Sequence, residues 1–297
     1  MKPQIRLLVS DLDNTLYDWV SFFVPAFYEM LVTASSVLNI PTEQLLMESR
    51  VVNRRFGTAE RPFALLELPS VKERLVGLNL DDQKLQLNDA FHAFNRVRKQ
   101  TLRLYPGVLD TFETITHSGT LLVAHTDAHV HNAMFRIKAL GLRRLISRLY
   151  APLSELDSEE RGTEYGTFVS ALPARHRKPN PRVLLDICAD FDVLPDETLY
   201  IGDSIAKDIQ MAKAAGVHSA LAQYGAQHSP VLWDKLVRIT HWSEEDANRE
   251  KQLSIRSDHP EPEVKLNEIG ELLQHFTFTS RRGSRRQSSR SPTRAER

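Results

Sequence analysis

The chain has one cysteine, Cys188, among 297 residues. A lone thiol cannot close an internal disulfide, so no disulfide framework holds this fold, and a reducing compartment suits it. Cys188 ends Val183-Leu184-Leu185-Asp186-Ile187-Cys188, an apolar helical pattern, and reads as a core residue rather than a nucleophile. Net charge is also missing, because 38 Lys and Arg balance 38 Asp and Glu. No whole-protein field therefore draws the chain to nucleic acid or to an anionic membrane surface. No apolar run reads as long enough to span a membrane, so no membrane partner is expected. Met1-Lys2-Pro3-Gln4 passes almost directly into an apolar run. That start predicts no secretory leader and a cytoplasmic protein.

What is present begins at Ile5-Arg6-Leu7-Leu8-Val9-Ser10, a run of strand formers that ends in Asp11, with Asp13 and Thr15 just beyond. Carboxylates at the end of a buried strand are costly unless something charged binds there. Two of them, two residues apart, repel unless a cation or a shared proton compensates. The pattern points to a magnesium-assisted reaction, with one aspartate as nucleophile and the other as acid and base.

From Trp19 to Thr101 strand signals almost vanish and helical spacing takes over, as in Leu85, Leu87, Phe91, Phe94 and Val97. Pro41-Thr42-Glu43 reads as a helix opening. After Tyr105 the alternation of strand and helix resumes. Candidate strands are 121–125, 148–151, 198–202 and 218–222, with helices over 109–117, 131–140, 181–190 and 206–215. Alternating β and α predicts an open, mainly parallel, Rossmann-like sheet with right-handed crossovers. The expected organisation is a catalytic core of residues 1–18 plus 102–242, with an inserted α-helical cap over 19–101. A C-terminal extension over 243–279 follows, in which Val264, Leu266, Ile269, Leu272 and Leu273 suggest a short helix. Residues 153–177 pass from an acidic run to the basic Arg175-His176-Arg177 and read as a surface insertion or a loop edging the site. Residues 280–297 carry seven arginines and one glutamate with no large apolar residue, and are expected to be disordered. That tail is a solubilising segment or a weak tether to RNA or another polyanion, the only nucleic-acid partner the sequence suggests.

The Asp11-x-Asp13-x-Thr15 segment resembles the first motif of the haloacid dehalogenase superfamily. Three further segments resemble its remaining motifs, in the family's order. Leu121-Leu122-Val123-Ala124-His125-Thr126-Asp127 is similar to the second, Lys178-Pro179-Asn180-Pro181 to the third, and Leu199-Tyr200-Ile201-Gly202-Asp203-Ser204 with Asp208 to the fourth. Tyr105-Pro106-Gly107-Val108 resembles the family's return from cap to core. The resemblance covers about residues 5–225 and implies hydrolysis of a small phosphorylated metabolite through an aspartyl-phosphate. It makes Asp11 the nucleophile and Asp13 the general acid, then base, with Thr15 orienting Asp13. Mg²⁺ would be held by Asp11, the Asp13 backbone carbonyl and Asp203, with Asp208 as a further ligand or a support. Thr126, Asp127 and Lys178 would hold the phosphoryl oxygens. Asp13 weighs against the superfamily's dehalogenases, which lack an acid at that position. They remain the alternative, together with a regulatory protein binding through the basic tail.

His125, His129 and His131 form a local cluster without zinc-like spacing, and read as ordinary residues of which the last two edge the site. In the cap, Arg54-Arg55-Phe56-Gly57-Thr58 resembles a segment of nucleotide-directed members. Arg54 and Arg55 are thus substrate contacts or simply part of a solvated helix face. With Asp13-Asn14-Thr15-Leu16-Tyr17-Asp18, the segment looks most like the pyrimidine 5′-nucleotidase branch, and implies a nucleoside monophosphate as substrate.

Overall fold

The structure is a computed structural model that describes residues 1–154, 165–173, 175–241 and 260–280. The acidic run within 153–177, most of the charged stretch after 243 and the arginine-rich tail lie outside the described residues. The fold is an α/β sheet with helices packed on it. Strand β1 (Gln4–Ile5) leads into β2 (Leu7–Ser10), whose four residues are all buried. An apolar strand without alternation needs cover on both faces, and a central parallel position supplies it. β2 lies between β3 (Leu121–His125) and β6 (Thr198–Gly202), with Ser10 opposite Ala124 on one side and Ile201 on the other. β4 (Arg148–Pro152), β5 (Val169–Leu172), β7 (His218–Ala222) and β8 (Val264–Leu266) complete a seven-stranded sheet in the order β5-β4-β3-β2-β6-β7-β8. Every pairing in it is parallel. This register sets the ends of β2, β3 and β6 side by side, so Asp11, Thr126 and Asp203 emerge at one edge. Ligands of open parallel sheets sit at that carboxyl edge.

Five helices separate β2 from β3 before the chain rejoins the core: α1 (Trp19–Leu38), α2 (Thr42–Phe56), α3 (Pro69–Arg74), α4 (Leu80–Gln86) and α5 (Asn88–Thr101). Asp18 caps α1 by accepting from the Ser21 N–H at 2.9 Å, and Asn39 ends it in the left-handed region at φ 53°. The sequence suggested no run long enough to span a membrane. The structure corrects this: α1 has 20 residues, a mean hydropathy of 1.4 in its best window and one interior proline, long and apolar enough by length and composition alone. Half of that window is buried inside the protein, so its apolar face packs against other helices. α6 (Val108–His117) leads to β3, and α7 (Val130–Ala139) and α8 (Pro181–Phe191) follow. Beyond them lie the five-residue α9 (Gln210–Ala214) and α10 (Pro230–Ile239). The buried Asn53 amide of α2 donates to the Ile239 carbonyl of α10 at 2.7 Å, which ties the helical insertion to the core.

One expectation changes at the C-terminal end. Val264–Leu266, predicted as part of a helix, is instead the strand β8 at the β7 edge. A helical turn, α11 (Leu272–His275), follows, and β9 (Thr277–Phe278) then pairs with β1. The apolar spacing of Val264 and Leu266 is two residues, a strand period that the later helical spacing of Ile269, Leu272 and Leu273 obscures. Leu266 is fully buried. Leu266→Ala is expected to destabilise the protein by roughly 2–5 kcal/mol, the usual cost of emptying a core leucine site. Urea denaturation measures this, and a change under about 0.5 kcal/mol would contradict an integral seventh strand.

Candidate active site

Asp11 follows β2 directly and is 5% exposed. Its carboxylate accepts from Lys178 Nζ and, at 3.1 Å, from the Thr15 hydroxyl. Burial pushes the Asp11 carboxyl up to about 7 against the opposing pull of Lys178, with Asp208 and Asp13 adding to the rise. Lys178 comes from the loop before α8, where its backbone N–H donates to Asp127 at 3.2 Å. Its ammonium bridges two carboxylates, Asp11 and, at 2.8 Å, Asp208. Burial works against the lysine's charge, but Asp11 and Asp208 outweigh it and hold the group well above its usual range.

Asp208 lies in a single π-helical turn, Ile205–Ile209, and is 1% exposed. One oxygen accepts from Lys178 and from the Tyr200 hydroxyl at 3.2 Å, and the other accepts from the Ser204 N–H at 3.0 Å. Gly202 makes room for it: a Cβ there would sit 2.3 Å from the Asp208 carboxyl. The carboxylate oxygens of Asp11, Asp203 and Asp208 lie within 4.8 Å of one another. Among the described residues this is the one such group able to hold a metal ion. Converging hard oxygens of like charge suit a hard divalent cation, so the residues fit a magnesium site.

The structure thus brings Asp11, Lys178, Asp203 and Asp208 together. Thr126 follows β3 at the same edge, 2% exposed, with its hydroxyl accepting from the Ala128 N–H at 3.1 Å. One placement differs from expectation. Thr15 was expected to orient Asp13 but donates to Asp11, because its backbone turns back toward Leu12 and carries the hydroxyl over the nucleophile position. The Asp127 side chain is engaged by the Lys178 backbone N–H. A carboxylate repels an anion, so the phosphoryl contact expected at this residue falls to its backbone N–H. Arg54 and Arg55, for which a substrate contact and a solvated helix face were both open, are exposed on the last turn of α2 and are absent from the lining of the cavity between α7 and the insertion. Arg55 lies over the Phe56 ring at 5.3 Å instead.

No pattern in the sequence marks Arg136. This side chain on α7 is 2% exposed and donates to both Asp13 oxygens, at 2.8 and 3.0 Å, and to Glu60 of the insertion. The Tyr17 hydroxyl also donates to Asp13, at 2.7 Å. Burial raises the Glu60 carboxyl against the pull of Arg136. An arginine on a core helix thereby joins the second aspartate of the site to the helical insertion. His125 is fully buried at the end of β3, 3.3 Å from the Tyr200 hydroxyl, and burial and Lys178 keep it neutral. His131 lines a cavity between α7 and the insertion.

A family model described as haloacid dehalogenase-like hydrolase matches residues 5–216. The chain belongs to the haloacid dehalogenase-like hydrolases. It is 24% identical to a glyceraldehyde 3-phosphate phosphatase of Methanopyrus kandleri, over 72% of this chain and 82% of that protein. It is also 24% identical to a phosphoglycolate phosphatase of Mannheimia succiniciproducens, over 79% and 92%. The crystal structure of a 2-haloacid dehalogenase from Pseudomonas syringae pv. tomato superposes with a TM-score of 0.52 at 17% identity, over 91% of this chain and 97% of that one. That likeness concerns the fold of this haloacid dehalogenase-like hydrolase, not its reaction.

Arg136→Met would leave Asp13 and Glu60 without their shared counter-ion. Removing one partner from a buried charge cluster is expected to destabilise the protein by roughly 3–5 kcal/mol. Chemical denaturation measures it, and a loss below about 1 kcal/mol would show that Arg136 does not tie the insertion to the core.

Proposed function

We propose that this hydrolase is a Mg²⁺-dependent phosphatase. It cleaves a small phosphate monoester, with a nucleoside 5′-monophosphate as the favoured substrate, through an aspartyl-phosphate on Asp11. The observation that carries the reading is the convergence of Asp11, Asp203 and Asp208, two of them bridged by the Lys178 ammonium, with Asp13 on the same loop as Asp11. Two relatives named as phosphatases support the reaction class. The resemblance of residues 13–18 and 55–57 to nucleotide-directed members supports the substrate.

Asp11, held by Thr15 and Lys178, attacks phosphorus as the bond to the alcohol oxygen breaks. Asp13 gives its proton to that oxygen, so the alcohol leaves neutral and phosphorus is bonded to the Asp11 carboxyl. Asp13, now ionised, takes a proton from the water that attacks phosphorus, and Asp11 is restored as inorganic phosphate leaves. One group serves as acid and then base across two half-reactions. Arg136 and Tyr17 both donate to the Asp13 carboxyl and hold it in place beside Asp11. Lys178 and Thr126 stabilise charge on the non-transferring oxygens, the effect that dominates phosphoryl transfer. Asp11, Asp203 and Asp208 would hold Mg²⁺, which supplies charge neutralisation at the phosphoryl oxygens. The helical insertion acts as a cap that shields this chemistry from bulk water.

Phosphate release from a panel of phosphorylated metabolites tests this reading. Release is expected to require Mg²⁺, and Asp11→Asn is expected to lower kcat by about a thousandfold or more. Undiminished release by that variant would rule out Asp11 as nucleophile.

A further inference from the structure

Two buried titratable side chains beside the site, His125 and Tyr200, take no part in the proposed hydrolysis. Both are fully buried. The sheet brings them together. Val123 of β3 and Tyr200 of β6 both pair with Val9 of β2, so the three side chains form a row on one face. His125 lies two residues beyond Val123 and points to the same face. Its ring stands 6.0 Å from that of Tyr200 at an interplanar angle of 76°. A polar pair in the apolar layer of Val9, Val123 and Ile187 is costly to bury unless its hydrogen bonds are used.

The Tyr200 hydroxyl has two neighbours, Asp208 Oδ1 at 3.2 Å and His125 Nδ1 at 3.3 Å. Burial holds the phenol well above its usual range, so the oxygen keeps its single proton. An ionised carboxylate can only accept, and the hydroxyl therefore donates to Asp208. That leaves the hydroxyl with lone pairs for His125. Burial and the Lys178 ammonium hold the imidazole well below its usual range, so it carries one N–H. On Nδ1 that proton meets the hydroxyl oxygen. Nε2 is buried without a hydrogen-bond partner among the described residues, and a proton there would be left unbonded. The partners thus assign the Nδ1–H tautomer.

This chain ends on a carboxylate with competing claims. Asp208 Oδ1 also accepts from Lys178 at 2.8 Å, and Lys178 is shared with Asp11. Without the phenol, that oxygen would have the ammonium as its one donor and would draw it away from Asp11. We propose that Tyr200 and His125 are positioning residues for the metal site: His125 donates to the Tyr200 hydroxyl, the hydroxyl donates to Asp208, and the chain fixes that carboxylate beside Asp11 and Asp203. The proposal rests on the reading of these three aspartates as a Mg²⁺ site. Groups that hydrogen-bond a metal ligand set its orientation, and their loss costs about 10–100-fold in metal affinity or activity.

The test uses the full chain without substrate. Calorimetric titration with MgCl₂ measures the affinity of the wild type, Tyr200→Phe, His125→Leu and the double variant. Tyr200→Phe removes one oxygen and no ring volume, and is expected to weaken Mg²⁺ binding by roughly tenfold. His125→Leu keeps the hydroxyl but removes its donor, and is expected to weaken binding by a smaller factor. In the Tyr200→Phe background it is expected to change nothing further, because the chain is already broken at the phenol. Residues that merely fill the core would shift the urea midpoint and leave Mg²⁺ affinity alone, and that result would overturn the proposal. Losses that multiply in the double variant would overturn it too. Nitrogen NMR of protein labelled at histidine reads the first link without any metal. His125, assigned by the signals that vanish in His125→Leu, is expected to hold its proton on Nδ1, and a proton on Nε2 would overturn the proposal. A wild type that binds no Mg²⁺ ends the magnesium reading and the proposed role with it, whereas wild-type binding that Tyr200→Phe leaves unchanged ends the proposal alone.

Discussion

The Lys178 ammonium, buried between Asp11 and Asp208, is the interaction on which the rest of the site depends. Three carboxylates at one sheet edge repel one another, and burial removes the water that would screen them. A single cation reaching in from the loop before α8 makes the arrangement tolerable. Replacing a buried ion pair by apolar residues is often neutral or stabilising, so such a cluster is poor evidence for stability. Its value lies in a site whose charges are fixed in place before any substrate arrives. The parallel sheet makes the fixing possible. β2 and β6 run side by side, and their ends deliver Asp11 and Gly202-Asp203 to adjoining positions. Gly202 has no Cβ, so Asp208 can fold back over the strand end to meet Lys178.

A second charged contact joins the two parts of the molecule. Arg136 reaches Asp13 in the core loop and Glu60 in the insertion, and is almost wholly buried. The position of Asp13 is therefore coupled to the position of the helices that cover the site. The same α7 lines the cavity with His131, Phe135 and Arg136. One core helix thus faces the Asp13 loop on one side and this cavity on the other.

Much of this was legible in the sequence because strand ends leave a local signature. An apolar run that stops at a carboxylate or a hydroxyl, as at Asp11, Thr126 and Asp203, marks where a parallel strand meets its ligand edge. The α/β class and five of the seven strands of the main sheet, β2, β3, β4, β6 and β7, follow from the same alternation. β5 and β8 were not foreseen, since Val169–Leu172 and Val264–Leu266 are short and their flanks do not alternate clearly. Side-chain partners were harder to foresee. Whether Thr15 turns to Asp11 or Asp13 is set by how its loop folds back, and Arg136 and Glu60 meet across 76 residues of chain. Arg98 and Arg54 look alike in sequence, and only the helix face on which each lies separates a cavity residue from an exposed one.

The account stands on Asp11 as the group that becomes covalently bonded to phosphorus. Acid quench of the protein within a single turnover, followed by mass analysis of the peptide that contains Asp11, observes that bond directly. The account predicts a peptide heavier by one phosphoryl group, with the addition on Asp11 and lost as the turnover completes. A substrate consumed in full with the Asp11 peptide unmodified at every time point would contradict it.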